Sequence, residues 1–428
     1  MDILKTFDEF LVNIEIRNNE DISGKYNSIT KRLNKSFYNI DSDTDYSFKV
    51  GSYGRKTAIN GVSDLDMLYV LTDDIYKKYN GYESNGQSAL LQDLKNSILE
   101  TYSTTDIRGD GQVVVISFSN YIVEVCPAFL QLDGGYKYPD SNNGGSWKKT
   151  NPIAEIDELN KFDKDTNGNL SNLAKMTRAW KNKCGVKIGG LLIDTLCYEF
   201  LKNNSDFQKT TLDKYDTLVL KYFEFLKDYD TNREFWYAPG SNQKVFRKET
   251  NFISKAKKAH ENIEEAIEKN ENSTVYGIWK RVFGYSFPYP KSINEASENY
   301  TTNEEYIEDK YPVDIKYRLK IDCEVSQAGF RTEFLRKMLD RLRVNKKLKF
   351  FIVMTDVPKP YIINWKVKNE GAIAKQRNNF RGQILNDDGK EVRNENTNFS
   401  GAHFVECYVI KNDICVARDR IDVPISNI

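Results

Sequence analysis

The chain is poor in the residues that many catalytic centres are built from. Among its 428 residues there are two histidines, His260 and His403. Zinc catalysis and histidine-based triads therefore lack the ligands and bases they need. Six cysteines lie at 126, 184, 197, 323, 407 and 415, with no Cys-x-x-Cys pair. Several sit in apolar surroundings, which predicts reduced core thiols rather than a disulfide framework. Neither sign of charge is in excess: Lys plus Arg and Asp plus Glu number 62 each. A protein that tracks long duplexes shows a basic excess, so no long nucleic acid is expected as a partner. No charged-then-apolar leader opens the sequence and no apolar run reaches membrane length. This predicts a soluble, cytoplasmic protein without a membrane partner.

What the sequence does have is concentrated in residues 51–71. A Gly51-Ser52 turn is followed, a dozen residues later, by Ser63-Asp64-Leu65-Asp66 leading into the apolar run Met67–Leu71. That run predicts a buried strand. Side chains alternate faces on a strand, so Asp64 and Asp66 point one way while Leu65 and Met67 point to the core. Two carboxylates side by side repel unless a cation lies between them, and a hard divalent ion such as Mg²⁺ suits oxygen ligands. Glycine lets backbone N–H groups approach a phosphate, and a serine hydroxyl can donate to it. Phosphate cradle plus metal carboxylates is the equipment of phosphoryl or nucleotidyl transfer.

A third carboxylate is expected from a neighbouring strand. Val113–Phe118, a turn at Ser119-Asn120 and Tyr121–Ala128 read as a hairpin. Glu124 is the only charged side chain in the second strand, and a charge there is costly unless paired or bound to metal.

The length of the chain predicts two or three domains at ~150 residues each. Apolar spacing predicts two helices, one through Ile3, Phe7, Phe10 and Ile14 and one through Tyr26, Ile29, Leu33 and Phe37. Strands are expected at 46–50, 65–71, 113–118 and 121–126, with a helix around 87–102. Residues 133–151, rich in Gly, Asn, Asp and Tyr, read as a loop near the site. From about 153 to 285 the pattern is helical, and Ala256, Ala259, Ile263 and Ala266 mark one amphipathic helix. Residues 287–312 hold Pro288, Pro290 and Pro312 and read as a connector. The basic run Arg336 to Lys349 reads as a solvated helix and linker. Later runs such as Phe350–Met354, Tyr361–Val367 and Phe404–Ile410 suggest a β-sandwich.

The pattern Gly-Ser-Tyr-x-Arg-x-Thr-x-Ile…Ser-Asp-Leu-Asp, with an acidic residue before Val-Cys-Pro-Ala, resembles the DNA polymerase β-type nucleotidyltransferases. Among these it is most similar to the bacterial cGAS/DncV-like nucleotidyltransferases (CD-NTases, SMODS family), relatives of oligoadenylate synthetase that make signalling oligonucleotides in antiviral defence. The chain departs from the family at the third acidic position, usually aspartate and here Glu124, so metal geometry must adjust to one extra methylene. Leu173–Lys181 is similar to the family's spine helix with its two basic positions exchanged, Lys175 then Arg178. Their i, i+3 spacing puts both on one helix face. Ile188–Leu196 and Ala238–Gln243 also resemble the family and read as structural. Trp365–Gly371, Phe380–Gly382 and Gly401–Tyr408 look like the AGS-C sensor domain fused to such synthases.

The resemblance implies an α+β fold: a nucleotidyltransferase over 1–290 (catalytic sheet about 40–150, helical lobe 1–38 and 153–285), a connector over 291–344 and a small β domain over 345–428. It implies nucleoside triphosphates as substrates, bound by Gly51, Ser52, Lys175 and Arg178. Asp64, Asp66 and Glu124 would hold two Mg²⁺ or Mn²⁺ ions. A downstream effector would bind the oligonucleotide product, cyclic or linear. Trp365, Arg381 and His403 are candidate sensor residues. Two alternatives stay open: a transferase that modifies tRNA or a protein hydroxyl, and a non-catalytic nucleotide sensor.

Overall fold

The computed structural model describes residues 1–17, 19–61, 64–118, 121–249, 251–269, 275–289, 304–327, 329, 331–338 and 342–426. Ser63 of the acidic motif, the Ser119-Asn120 turn and residues 291–303 of the expected connector lie outside them.

The chain opens on α1 (Ile3–Ile14) and α2 (Asn19–Phe37). The Asp2 side chain accepts from the Lys5 N–H at 3.0 Å, satisfying an orphan donor of the first turn. The helices serve different cores. α1 buries Phe7, Phe10 and Ile14 in the helical lobe, whereas α2 buries Ile22, Tyr26, Ile29 and Leu33 beneath the sheet.

The sheet contains β1 (Ser47–Lys49), β2 (Leu65–Leu71), β3 (Asp106–Asp110), β4 (Val113–Ser117) and β5 (Ile122–Leu130), in the order β1-β2-β5-β4-β3. Only β2 and β5 run parallel; the other neighbours are antiparallel. Leu65, Met67, Tyr69 and Leu71 alternate onto α2 and onto α5 (Gly86–Leu99), which leaves Asp66 on the opposite face. Between the strands lie the single helical turn α3 (Gly51–Gly54) and the short α4 (Asp73–Asn80).

Residues 133–151, expected as a loop, contain a hairpin. β6 (Tyr136–Asp140) pairs with the end of β5 and with β7 (Ser146–Thr150). Glycines and asparagines at its turn hide the strand pattern, but Trp147 packs edge-on against Tyr76 and Phe129 and anchors it.

The helical lobe follows: α6 (Pro152–Asp165), α7 (Asn169–Cys184), α8 (Gly190–Asn203), α9 (Ser205–Gln208), α10 (Tyr215–Lys227), α11 (Asn251–Glu268) and α12 (Val275–Phe283), with a hairpin of β8 (Phe235–Tyr237) and β9 (Lys244–Phe246). Ala256, Ala259, Ile263 and Ala266 are buried along α11 as their spacing predicts, in one core with Trp180, Tyr222 and Trp279. The lobe meets the sheet along α3, α7 and α8 and so forms one wall of the candidate site.

The C-terminal unit is built from β10 (Leu319–Ser326), β11 (Glu333–Phe334), β12 (Lys347–Thr355), β13 (Ile362–Asn369), β14 (Arg381–Asn386), β15 (Val392–Asn396), β16 (Gly401–Lys411) and β17 (Ile414–Ile425). They form two four-stranded sheets, β11-β10-β12-β15 and β14-β13-β16-β17. Ile321, Cys323 and Phe350 of one sheet share a core with Trp365, Cys407 and Val409 of the other, which makes the unit a β-sandwich. β10 falls within the expected connector 291–344, yet it pairs with β12 from Leu319↔Thr355 to Ser326↔Lys347. A unit cut at 345 would leave that β12 edge open. The basic run 336–349 likewise ends in strand, because Lys347 and Lys349 alternate outward around Leu348 on β12. Among the described residues no helix is long and apolar enough to cross a membrane.

Candidate active site

Asp66 on β2 lies directly across from Glu124 on β5 in the parallel register. Asp64 precedes β2 by one residue. The three carboxylates therefore gather on one sheet face, as the strand alternation predicts. Burial pushes the Asp66 carboxyl up to about 6, with repulsion from Asp64 adding to it. Burial pushes Glu124 up to about 7, with repulsion from Asp64 and Asp66 adding. Neither side chain has a salt bridge among the described residues. The Oδ1 atom of Asp64 is buried with no hydrogen-bond partner. Hard, anionic, under-satisfied oxygens fit a divalent cation. Among the described residues, however, no three acidic, His or Cys side chains already converge on a common metal position.

The Gly51-Ser52 turn abuts these carboxylates. Gly51 has φ +59°, and a Cβ there would lie 1.7 Å from Asp66 Oδ2. Only glycine permits both that backbone and that approach. Ser52 lines the same cleft of about 310 Å³. The turn is pinned by the residues that follow it. Arg55 Nε donates to Asp194 Oδ2 at 2.7 Å, and Thr57 Oγ1 donates to the same oxygen at 3.2 Å. Arg178 completes the cluster, its Nη1 donating to Asp194 Oδ1 at 2.7 Å and its Nη2 to Oδ2 at 2.9 Å. Burial pushes the Asp194 carboxyl up, but the Arg178 and Arg55 guanidiniums outweigh it and hold the carboxyl below the ordinary aspartate value.

The two basic residues expected to grip a triphosphate thus separate. Arg178 borders the cleft with its guanidinium fixed on Asp194. Lys175 pairs with Glu15 of the N-terminal segment at 3.6 Å and is not among the cleft's lining residues. Helical spacing put both on one face but could not reveal which acids the neighbouring elements would present.

The cleft contains cations that sequence reasoning missed: Lys181 one turn beyond Arg178, Lys187 after α7, Lys248 after β9 and Lys316 before β10. Lys248 forms no salt bridge among the described residues. Burial lowers its pKa, with repulsion from Lys181, Lys187 and Lys316 adding. Like charges crowd in this way where an anion is to be bound. Lys187 and Lys248 lie outside regular helix and Lys316 comes from a different unit, so no local spacing signals them. Lys316 Nζ lies 2.5 Å from Asp64 Oδ2 and 3.3 Å from Asp314.

The three candidate sensor residues do not form one site. Trp365 is 1 % exposed within the sandwich core. Arg381 makes a two-pronged pair with Glu395 at 2.5 and 2.9 Å. His403 stands edge-on against Phe399, and burial lowers its pKa. Arg381 and His403 border a small cavity of about 60 Å³ that Trp365 does not line.

Residues 1–162 match the Second Messenger Oligonucleotide or Dinucleotide Synthetase domain, and residues 301–426 match the Adenylyl/Guanylyl and SMODS C-terminal sensor domain. The chain is similar to a probable cyclic nucleotide synthase of Bacillus cereus, 22% identical over 56% of this chain and 81% of that protein. It is also similar to the cyclic AMP-AMP-AMP synthase of an Acinetobacter species, 22% identical over 59% of this chain and 75% of that protein. The fold matches that of CdnC from E. coli MS115-1, solved with a HORMA-deltaN partner. The TM-score is 0.52 at 15% identity, over 67% of this chain and 98% of that one. The likeness to CdnC is one of fold, the mixed sheet backed by a helical lobe. The two matched domains are those of a CD-NTase that carries a C-terminal sensor domain.

Proposed function

We propose that the protein is a template-independent nucleotidyltransferase that joins nucleoside triphosphates into a short signalling oligonucleotide, cyclic or linear, in bacterial antiviral defence. The observation that carries this reading is the trio Asp64, Asp66 and Glu124, set across two parallel strands against a Gly51-Ser52 turn. The relatives named as cyclic nucleotide synthases support the product class. The lysine-lined cleft supports a polyphosphate ligand.

In this reading Asp64, Asp66 and Glu124 hold two Mg²⁺ or Mn²⁺ ions. Bound divalent metal supplies Lewis-acid stabilisation of the attacking hydroxylate and of the pyrophosphate leaving group. Gly51 and Ser52 take the outer phosphates, with Lys181, Lys187 and Lys248 adding charge, while Arg178 keeps the cleft wall in place through Asp194. The acceptor hydroxyl gives its proton to water, its oxygen bonds to the α-phosphorus, and the bond from that phosphorus to the α–β bridging oxygen breaks to release pyrophosphate. A second nucleotide supplies the hydroxyl, and an effector binds the product.

Purified protein, divalent metal and nucleoside triphosphates alone are expected to yield a short oligonucleotide by mass spectrometry. A product that forms only when tRNA or a protein substrate is added would replace this reading with a modifying transferase.

Glu124→Ala is expected to be as damaging as loss of either aspartate. Glu124→Asp should retain part of the activity. Its carboxylate stays on the same face opposite Asp66, drawn back by one methylene. Steady-state rates across a Mg²⁺ titration check this, because a displaced ligand raises the metal requirement before it removes turnover. Full activity in Glu124→Ala would move the third ligand elsewhere, with Asp110, the acid outside the trio that also raises Glu124, the one to test.

A further inference from the structure

Lys316 belongs to the C-terminal unit by its hydrogen bonding and to the active site by its charge. The Lys316 backbone N–H donates to the Val416 carbonyl at 3.0 Å, and the Asp314 N–H donates to the Cys415 carbonyl at 3.0 Å. The segment 313–316 is thereby laid along the start of β17. On its other side α7 clasps it. Asn182 Nδ2 donates to the Val313 carbonyl at 3.2 Å, and the Ile315 N–H donates to Asn182 Oδ1 at 3.4 Å. Lys181 pairs with Asp314 at 3.3 Å. The Lys316 ammonium then reaches Asp64 at 2.5 Å.

A point charge of +1 at that distance offsets part of the cost of burying the Asp64 carboxylate, as a metal ion would with twice the charge. It neutralises one carboxylate of the trio and leaves Asp66 and Glu124 without a salt bridge.

We propose that Lys316 is an internal counter-cation, held on Asp64 by the C-terminal unit, that must leave before a divalent metal can use Asp64. The proposal rests on the metal-site reading above. It makes segment 313–316 the physical link between β17 of the sensor domain and the catalytic carboxylates. A shift of that strand moves Lys316 and Asp314 together, because their backbones hang on Cys415 and Val416. When Lys316 leaves Asp64, its ammonium stays in the cleft it shares with Lys181, Lys187 and Lys248, where the phosphates of a nucleotide offer a new partner.

Binding of Mn²⁺ to the full-length protein without nucleotide, followed by the EPR signal of free Mn²⁺, tests this without relying on turnover. Lys316→Ala is expected to bind Mn²⁺ ~10-fold more tightly than the unaltered chain, by removal of a competing charge. Lys316→Arg should bind as the unaltered chain does. Asn182→Ala, which keeps Lys316 but loosens its tether, should shift binding the same way by less. Lys316→Ala binding Mn²⁺ equally or more weakly overturns the counter-cation, and an unchanged Asn182→Ala overturns the tether. Adding Asp66→Asn to Lys316→Ala separates the two readings. Loss of the tight Mn²⁺ site upholds the metal assignment, whereas unchanged binding places the ion elsewhere and removes the basis of both.

Discussion

Asp66→Asn is expected to lower nucleotidyl transfer by on the order of 10³-fold and to raise the melting temperature of the metal-free protein. The two effects have one cause. Asp66 sits on a buried sheet face opposite Glu124 and against Gly51, with no salt bridge of its own among the described residues. Its carboxyl is pushed up to about 6, first by burial and then by Asp64. Glu124 is pushed up to about 7, first by burial. A carboxyl whose folded value lies above its unfolded value contributes stability below the unfolded value and loses it as pH rises through the folded one. The metal-free protein should therefore lose stability between about pH 4 and pH 7, as these two groups are forced to ionise side by side. Asparagine keeps the shape of aspartate and removes one of the charges, so that slope should shrink in Asp66→Asn. Asp64→Asn should abolish transfer equally but stabilise less, because it also breaks the Lys316–Asp64 ion pair and leaves Lys316 only Asp314. Thermal melts from pH 4 to pH 8, with and without Mg²⁺, check the prediction. An Asp66→Asn protein that turns over normally would remove the two-metal assignment.

Much of this site was legible in the sequence because its geometry is local. The apolar run after Asp66 is so uninterrupted that the strand at 65–71 is found with the bounds expected, and the face carrying Asp66 follows from the positions of Leu65 and Met67. Glu124 stood out as a lone charge on an apolar strand, and it does lie beside Asp66. Local pattern fails where the partner is remote. The charge of Arg178 is answered by Asp194 sixteen residues on, a carboxylate that also accepts from Arg55 of the sheet domain. Lys316 meets Asp64 across 252 residues of sequence. β10 was hidden for another reason. Leu319, Ile321, Cys323 and Val325 do alternate inward, but the prolines and charges upstream drew the whole stretch into the connector. The 136–150 hairpin shows the same effect, its glycines and asparagines outweighing Tyr136 and Trp147.

Asp194→Ala is expected to be the most destabilising of the single substitutions, by ~3–5 kcal/mol. Asp194 is fully buried, 0% exposed. It accepts from Arg55, Thr57 and Arg178, so its removal leaves two buried guanidiniums without an acid. The cost is mostly that of the stranded charges, not of the lost bonds. Replacing the cluster as a unit should therefore be much milder. The triple change Arg55→Met, Asp194→Leu, Arg178→Met removes all three charges together and is expected to recover most of the loss. Activity should not recover with it. Arg55 and Thr57 tie the segment after Gly51-Ser52 to α8, and without them the turn that faces Asp66 has lost its fixed position. The pH dependence separates this cluster from the metal carboxylates. Asp194 is held below the ordinary aspartate value, so its contribution is present at neutral pH and is lost as pH falls through that lowered value. The Asp66 and Glu124 contribution runs the other way, lost as pH rises. Urea denaturation of the single and triple variants at pH 7 and near pH 4 resolves the two. An Asp194→Ala protein within about 1 kcal/mol of the parent would mean that water or a side-chain shift rescues both arginines, and the cluster would then not be what holds the nucleotide turn in place.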